Sequence, residues 1–223
     1  MELAIKVADL AFSWPKNPQF CLSIVDWQVK CGQKIFLYGP SGSGKSTLLN
    51  LLSGVVAGYS GQITILQQEL KTLSAAKRDR FRAQHMGMIF QQFNLLPYLS
   101  GRQNIQLGQY FAPQSNKQSN YLLAQLCEKL QLSNYLLSQS AGSMSVGQQQ
   151  RIAVARALIN QPQLIIADEP TSALDSELRD QFIELLLSTA SESTVVFVSH
   201  DRSLATHFDE QFDLTTLQGE LKQ

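Results

Sequence analysis

The chain has 223 residues, room for one large domain or a domain that carries a subdomain. Lys plus Arg and Asp plus Glu both number 18, and this zero formal net charge argues against the broad basic face that nucleic acid demands, although not against a local basic pocket. Hydrophobic residues at 44% are ample for a core, yet no run approaches the roughly 18 apolar residues of a membrane span.

The first residues, Met1 to Leu10, carry Glu2, Lys6 and Asp9 among apolar neighbours, unlike a signal peptide. Leu3–Val7 reads as a strand, flanked by two alternating runs, Phe20–Val29 and Gln62–Leu66, that read as antiparallel strands of an accessory sheet. Four further runs, Lys34–Tyr38, Met86–Phe90, Leu164–Ala167 and Thr194–Ser199, are short, nearly continuous in apolar residues and followed by turns. Strands of that kind are buried on both faces, as in a parallel sheet covered by helices. Helical periodicity marks Lys45–Leu52, then Tyr121–Leu130 with Leu122, Leu123, Leu126 and Leu130 aligned, and Gln148–Ile159. It also marks Ser176–Ser188, where Leu178, Phe182 and Leu185 line up behind Asp175 as N-cap. The Gln- and Ser-rich stretch Gln114–Asn120 reads as an exposed loop. Cys21, Cys31 and Cys127 match no metal spacing and read as free thiols in a reducing cytosol.

Between a strand and a helix lies Gly39-Pro40-Ser41-Gly42-Ser43-Gly44-Lys45-Ser46-Thr47, a glycine, four residues, then Gly-Lys-Ser. Its glycines let the backbone wrap a phosphate with N–H groups pointing inward, and the new helix aims its positive end at the same anion. Lys45 can reach terminal phosphates, and the Ser46 hydroxyl can ligate Mg2+. Chance recurrence of four such fixed positions in a chain this long is roughly one per cent, before the strand–loop–helix context is counted. Leu164-Ile165-Ile166-Ala167-Asp168-Glu169 is a buried strand ending in two acids. Beside a phosphate loop, Asp168 fits the magnesium shell, and Glu169 can polarise a water for attack on a γ-phosphate.

With these motifs in place, the sequence resembles the ABC ATPase family over almost its whole length. Met144-Ser145-Val146-Gly147-Gln148 resembles the family's signature motif, Ser172-Ala173-Leu174-Asp175 its D-loop, His200 its switch histidine and Gln91 its Q-loop glutamine. Trp14 stands where the family stacks an aromatic on adenine, with Phe12 the alternative. The signature's leucine is Met144 here and its first glycine Val146, while the serine and second glycine remain. Arg82–Gly87 and Phe90–Pro97 look like the bacterial subgroup serving lipoprotein release and macrolide or other export.

The resemblance implies an α/β P-loop NTPase fold with a mainly parallel sheet, an antiparallel accessory sheet and an inserted helical subdomain. The catalytic core would span about residues 1–91 and 148–223, and the helical subdomain about residues 92–147. The implied activity is ATP hydrolysis that powers a membrane transporter through closure of a head-to-tail dimer, with itself or a related ATPase subunit. Glu169 would be the base, His200 and Lys45 would act on the γ-phosphate, and Ser46, Gln91 and Asp168 would hold the metal. Ser145, Gly147, Gln148 and Asp175 would meet nucleotide across the dimer. The implied partners are ATP, Mg2+ and a separately encoded transmembrane permease, with the chain peripheral on the cytoplasmic side of the inner membrane and no nucleic acid bound. A soluble relative acting on DNA or ribosomes fits less well, since the insertion is short and there is one phosphate loop. A regulatory subunit poor in hydrolysis has only Val146 in its favour.

Overall fold

The computed structural model describes residues 2–112, 116–172 and 174–218. Two sheets form in the described residues. Strands β1 (Leu3–Trp14), β2 (Asn17–Lys30), β4 (Ser60–Ile65) and β5 (Gln68–Glu69) make an antiparallel sheet in the order β2-β1-β4-β5. Strands β3 (Lys34–Tyr38), β6 (Met86–Phe90), β7 (Leu164–Asp168), β8 (Thr194–Val198) and β9 (Glu210–Asp213) make a parallel one in the order β6-β7-β8-β3-β9.

Successive side chains of a strand point to opposite faces, so the parallel sheet divides the interior in two. Ile35, Leu37, Leu164, Ile166, Val196 and Val198 face a core built with the antiparallel sheet and helix α1 (Lys45–Leu52). Phe36, Ile165, Ala167, Val195 and Phe197 face the opposite core. That second core is shared with α3 (Gly101–Tyr110), α4 (Asn116–Lys129), α5 (Asn134–Ser138), α6 (Val146–Leu158) and α7 (Ser176–Thr189). Burial on both faces is what makes these strands read as unbroken apolar runs, and it is why the parallel sheet is visible in the sequence.

Several elements differ from the sequence expectation. β1 continues from Val7 to Trp14, because its pairing with β2 holds the strand beyond the apolar run. The stretch expected as a loop enters α4 at Asn116, while Gln114 and Ser115 lie outside the described residues. On α7 the buried stripe is Phe182, Ile183 and Leu186; Leu178, in the first turn, is exposed. Helix α2 (Ala75–His85) has no buried residue, so no apolar stripe announces it. It is held by Phe81, partly buried against the core, and by guanidinium groups, Arg78 donating to the carbonyls of Gly54 and Leu73 and Arg82 to that of Ser53. No helix of the described residues is long and apolar enough to cross a membrane.

Strand β6 lies close against α6 because Gly87 has no side chain. A Cβ there would stand 2.6 Å from the Ala157 carbonyl oxygen and 3.1 Å from Pro162 Cγ. Overpacking of this kind costs about 1–3 kcal/mol. Gly87→Ala should therefore lower the urea midpoint by a corresponding amount at unchanged denaturant slope, measured by equilibrium unfolding; an unchanged midpoint would show that helix and strand part without cost.

Candidate active site

The glycine loop connects β3 to α1 and turns through Gly44, whose φ of +101° belongs to the left-handed region. A Cβ on Gly44 would also meet Phe20 Cζ at 2.9 Å, so the ring would have to shift. Unlike α3, α6 and α7, which begin on Ser100, Ser145 and Asp175 acceptors, α1 begins with no side-chain cap on its first N–H groups. A helix start left open to its surroundings is a fit for an anion. Lys45, buried at the start of that helix, donates from Nζ to the carbonyls of Gly39 at 2.8 Å and Pro40 at 3.0 Å. Its ammonium is thus held over the loop by the loop itself. The loop is further pinned by Gln218, which donates to the Ser43 carbonyl at 2.8 Å.

Around the loop opens a cavity of about 570 Å³. Ser41, Gly42, Gly44, Lys45, Ser46 and Thr47 line one side of it, the β1–β2 hairpin adds Trp14, Asn17 and Phe20, and Glu169 and His200 complete it. Trp14 donates from Nε1 to Thr47 Oγ1 at 3.3 Å and meets Phe12 edge-on at 5.0 Å. Phe12 is buried, so of the two aromatic candidates Trp14 faces the cavity and Phe12 backs it. Asn17 and Phe20 are lining residues that the sequence did not single out. Phe20 was legible only as one position of an alternating strand, and nothing local marks Asn17.

Asp168 ends β7 and is hydrogen-bonded to Ser46. Burial raises its carboxyl above the usual aspartate range; the Ser46 hydrogen bond and Lys45 oppose that rise, and the neighbouring Glu169 adds to it. Glu169 has φ of +46°, the left-handed region that non-glycine residues seldom occupy. Its N–H donates to the Val198 carbonyl at 3.0 Å, which anchors this turn to the end of β8. Glu169 Oε2 lies 3.3 Å from His200 Nδ1, with side-chain exposures of 24% and 64%.

The donor set suits one kind of metal. Among the described residues no group of three or more His, Cys, Asp or Glu could hold an ion. One hydroxyl and one carboxylate, Ser46 and Asp168, already touch. That pair fits Mg2+, which keeps several waters and takes substrate phosphate oxygens alongside one or two protein ligands.

The remaining expected residues stand outside this cavity. Gln91 follows β6 and is exposed. Ser145 caps α6 in a reciprocal box: its Oγ accepts from Gln148 N at 3.3 Å, and Gln148 Oε1 accepts from Ser145 N at 2.9 Å. Met144, in the signature's leucine position, is buried among the helices, a volume-conserving exchange. Val146 is 49% exposed, and a Cβ added to Gly147 would meet nothing within 4 Å. Asp175 accepts from Leu178 N at 2.9 Å as the N-cap of α7. Ala173, in the same turn, lies outside the described residues.

Comparison with known proteins identifies the family. The family model described as "ABC transporter" matches residues 22–172. The lipoprotein-releasing system ATP-binding protein LolD of Idiomarina loihiensis is 37% identical over 82% of this chain and 81% of its own length. The macrolide export ATP-binding/permease protein MacB 2 of Aeromonas hydrophila is 37% identical over 83% of this chain but only 29% of its own length. The ATP-binding cassette MJ0796, solved as a dimer in a post-hydrolysis state bound to ADP and Pi, superposes with a TM-score of 0.80 at 29% identity, covering 97% of this chain and 96% of that one. The chain belongs to the ABC transporter family, as an ATP-binding ATPase cassette related to those of the lipoprotein-releasing and macrolide-export systems.

Proposed function

We propose that this cassette powers a membrane transporter of the export or lipid-extrusion type by closing as a head-to-tail dimer on ATP, with itself or a related subunit. The observation that carries the reading is the convergence of Lys45, Ser46, Glu169 and His200 on one cavity beside Trp14. The N–H groups of the glycine loop and of the open start of α1 receive the phosphates. Lys45 exchanges its two carbonyl partners for phosphate oxygens, and Trp14 stacks on adenine. Asp168 and Ser46 would hold Mg2+, with Gln91 as a further ligand. The ion, when bound, neutralises charge on the phosphates during transfer. Glu169 then takes the proton of the attacking water, and His200, within reach of Glu169, orients that water and meets the γ-phosphate.

Support for a second subunit comes from the signature. Among the described residues nothing meets a Cβ built on Gly147, so that face of the helix start is open to a group that approaches from outside. Ser145 in its capping box holds its hydroxyl at the helix start, where α6 directs its positive end outward. In the closed dimer Ser145, Gly147, Gln148 and Asp175 meet the partner's nucleotide. ATP makes contacts to both subunits that ADP lacks, and nucleotide state becomes a population shift between open and closed dimers. Val146 lies beside that contact without filling space inside its own chain, and turnover survives it.

Docking on a transmembrane permease places the cassette peripherally on the cytoplasmic side of the inner membrane. A cavity of about 640 Å³ opens between α2, β6, α3 and α6 with Asn94 on its lining; four residues further on Tyr98 is 75% exposed, while Leu95 packs on the helical core. Tyr98→Glu should therefore abolish co-purification with the permease and leave ATP binding intact; a complex that survives the change would contradict this docking face.

The hydrolytic assignment is tested by steady-state turnover and nucleotide binding. Glu169→Gln should lower kcat by about 10²- to 10⁴-fold while ATP remains bound, and Lys45→Ala should weaken ATP binding itself. Removal of Mg2+ by chelation should stop turnover in the unaltered protein. A Glu169→Gln protein that hydrolyses ATP at the normal rate would overturn the assignment of the base.

A further inference from the structure

His200 stands just past the end of β8, largely exposed, one residue beyond the last main-chain bond of the ladder, from Ser199 N to the Leu37 carbonyl. The geometry points to Arg179, on the first turn of α7, as the positioning residue that fixes this turn and joins it to the one at Asp175. This inference rests on the reading of Glu169 and His200 as the hydrolytic pair.

Arg179 Nη1 is hydrogen-bonded to Asp201 Oδ2, on the residue that follows His200, and Arg179 Nε donates to the Asp175 carbonyl at 3.3 Å. Asp201 is itself the centre of its turn. Its N–H donates to Ser199 Oγ at 3.1 Å, and its Oδ1 accepts from Ser203 N at 3.1 Å and Ser203 Oγ at 2.7 Å. One carboxylate oxygen thus shapes the turn, and the other is grasped from α7. The next residue of the helix adds a second tie, with Asp180 Oδ1 lying 3.3 Å from His207 Nε2.

At its other end Arg179 reaches the residue whose side chain caps α7. The chain from Glu169 to Asp175 is compact, with Ser172 N donating to the Glu169 carbonyl at 3.2 Å and Leu174 N to that of Thr171 at 3.1 Å. A single guanidinium therefore bridges the turn descending from Glu169 and the turn carrying His200. The two approach within 3.3 Å only if both turns keep their relative place.

The contact is partly buried, with Arg179 and Asp201 26% and 28% exposed, so thermal stability is followed beside the rate to separate folding from positioning. What the planar fork supplies is direction: it donates to a carboxylate and a carbonyl at once, which an ammonium on a flexible stem does poorly. Positional error of about 1 Å near reacting atoms can cost up to about a hundredfold in rate.

The test measures kcat, KM and ATP affinity for the full-length wild type, Arg179→Ala, Arg179→Lys, Asp201→Asn and the Arg179→Ala/Asp201→Asn pair. Amide hydrogen exchange over residues 201–204 is followed in parallel. Arg179→Ala should lower kcat about 10- to 100-fold with ATP affinity unchanged, and exchange over the turn should quicken. The double variant should be no slower than the worse single, and Arg179→Lys should recover part of the rate. Undiminished kcat in Arg179→Ala, additive losses, or joint loss of affinity and thermal stability would each overturn the positioning role. A wild type that does not hydrolyse ATP under its own active conditions would instead remove the hydrolytic reading beneath it.

Discussion

Strand β8 is wholly buried and pairs in parallel with β7 on one side and β3 on the other, and the active site exists because of that pairing. Parallel strands end on the same edge of a sheet, and ligands of open α/β sheets bind beyond those ends. Here the three ends deliver the glycine loop after β3, Asp168 and Glu169 at β7, and His200 after β8. The ladder even runs past the strands. Glu169 N donates to the Val198 carbonyl and Ser199 N to that of Leu37, so the three catalytic turns are stitched to each other by main chain. Groups distant in sequence are thereby brought to one edge of the sheet by main chain, and a side chain such as Arg179 has only to set the turns beyond it.

The same sheet explains how the helical part is attached. One face carries the antiparallel sheet and α1, and the other receives α3 to α7, so helices and catalytic strands share a continuous core. A polar link reinforces this at the segment after Gln91. Phe93 and Asn94 both have positive φ, an unfavourable local geometry for such residues. Their carbonyls are both taken by the guanidinium of Arg156 from α6. Burial lowers the pKa of that guanidinium, and a buried cation of this kind is tolerable only with good acceptors. The helix that begins at the signature thus reaches, through one side chain, the loop that begins at the Q-loop glutamine.

Much of this was legible in the residues, and the reasons are physical. Doubly buried strands such as Leu164–Asp168 leave unbroken apolar runs, and the glycine loop declares itself because only glycine suits its backbone. The order of short motifs pointed to the family and hence to Trp14, Gln91 and His200 as candidates, none of which is distinctive alone. Helix α2 escaped notice because it is fastened by Arg78 and Arg82 to carbonyls and sets only the partly buried Phe81 against the core, too little for an apolar stripe. Phe20 and Asn17 were missed because their importance arises from a hairpin folding over a loop some 25 positions away. Arg179 was missed for the same reason: its two partners meet only when α7 packs beside the His200 turn.

The central claim is that ATP, and not ADP, closes two cassettes across the signature. Sedimentation velocity of Glu169→Gln with Mg2+ and either nucleotide addresses it directly, with Glu169→Gln/Gly147→Ala run beside it. The account predicts a dimer with ATP, a monomer with ADP, and loss of the ATP dimer when Gly147 gains a methyl group that its own chain has room for. A protein that stays monomeric with ATP, or a dimer indifferent to nucleotide and to Gly147, would contradict it.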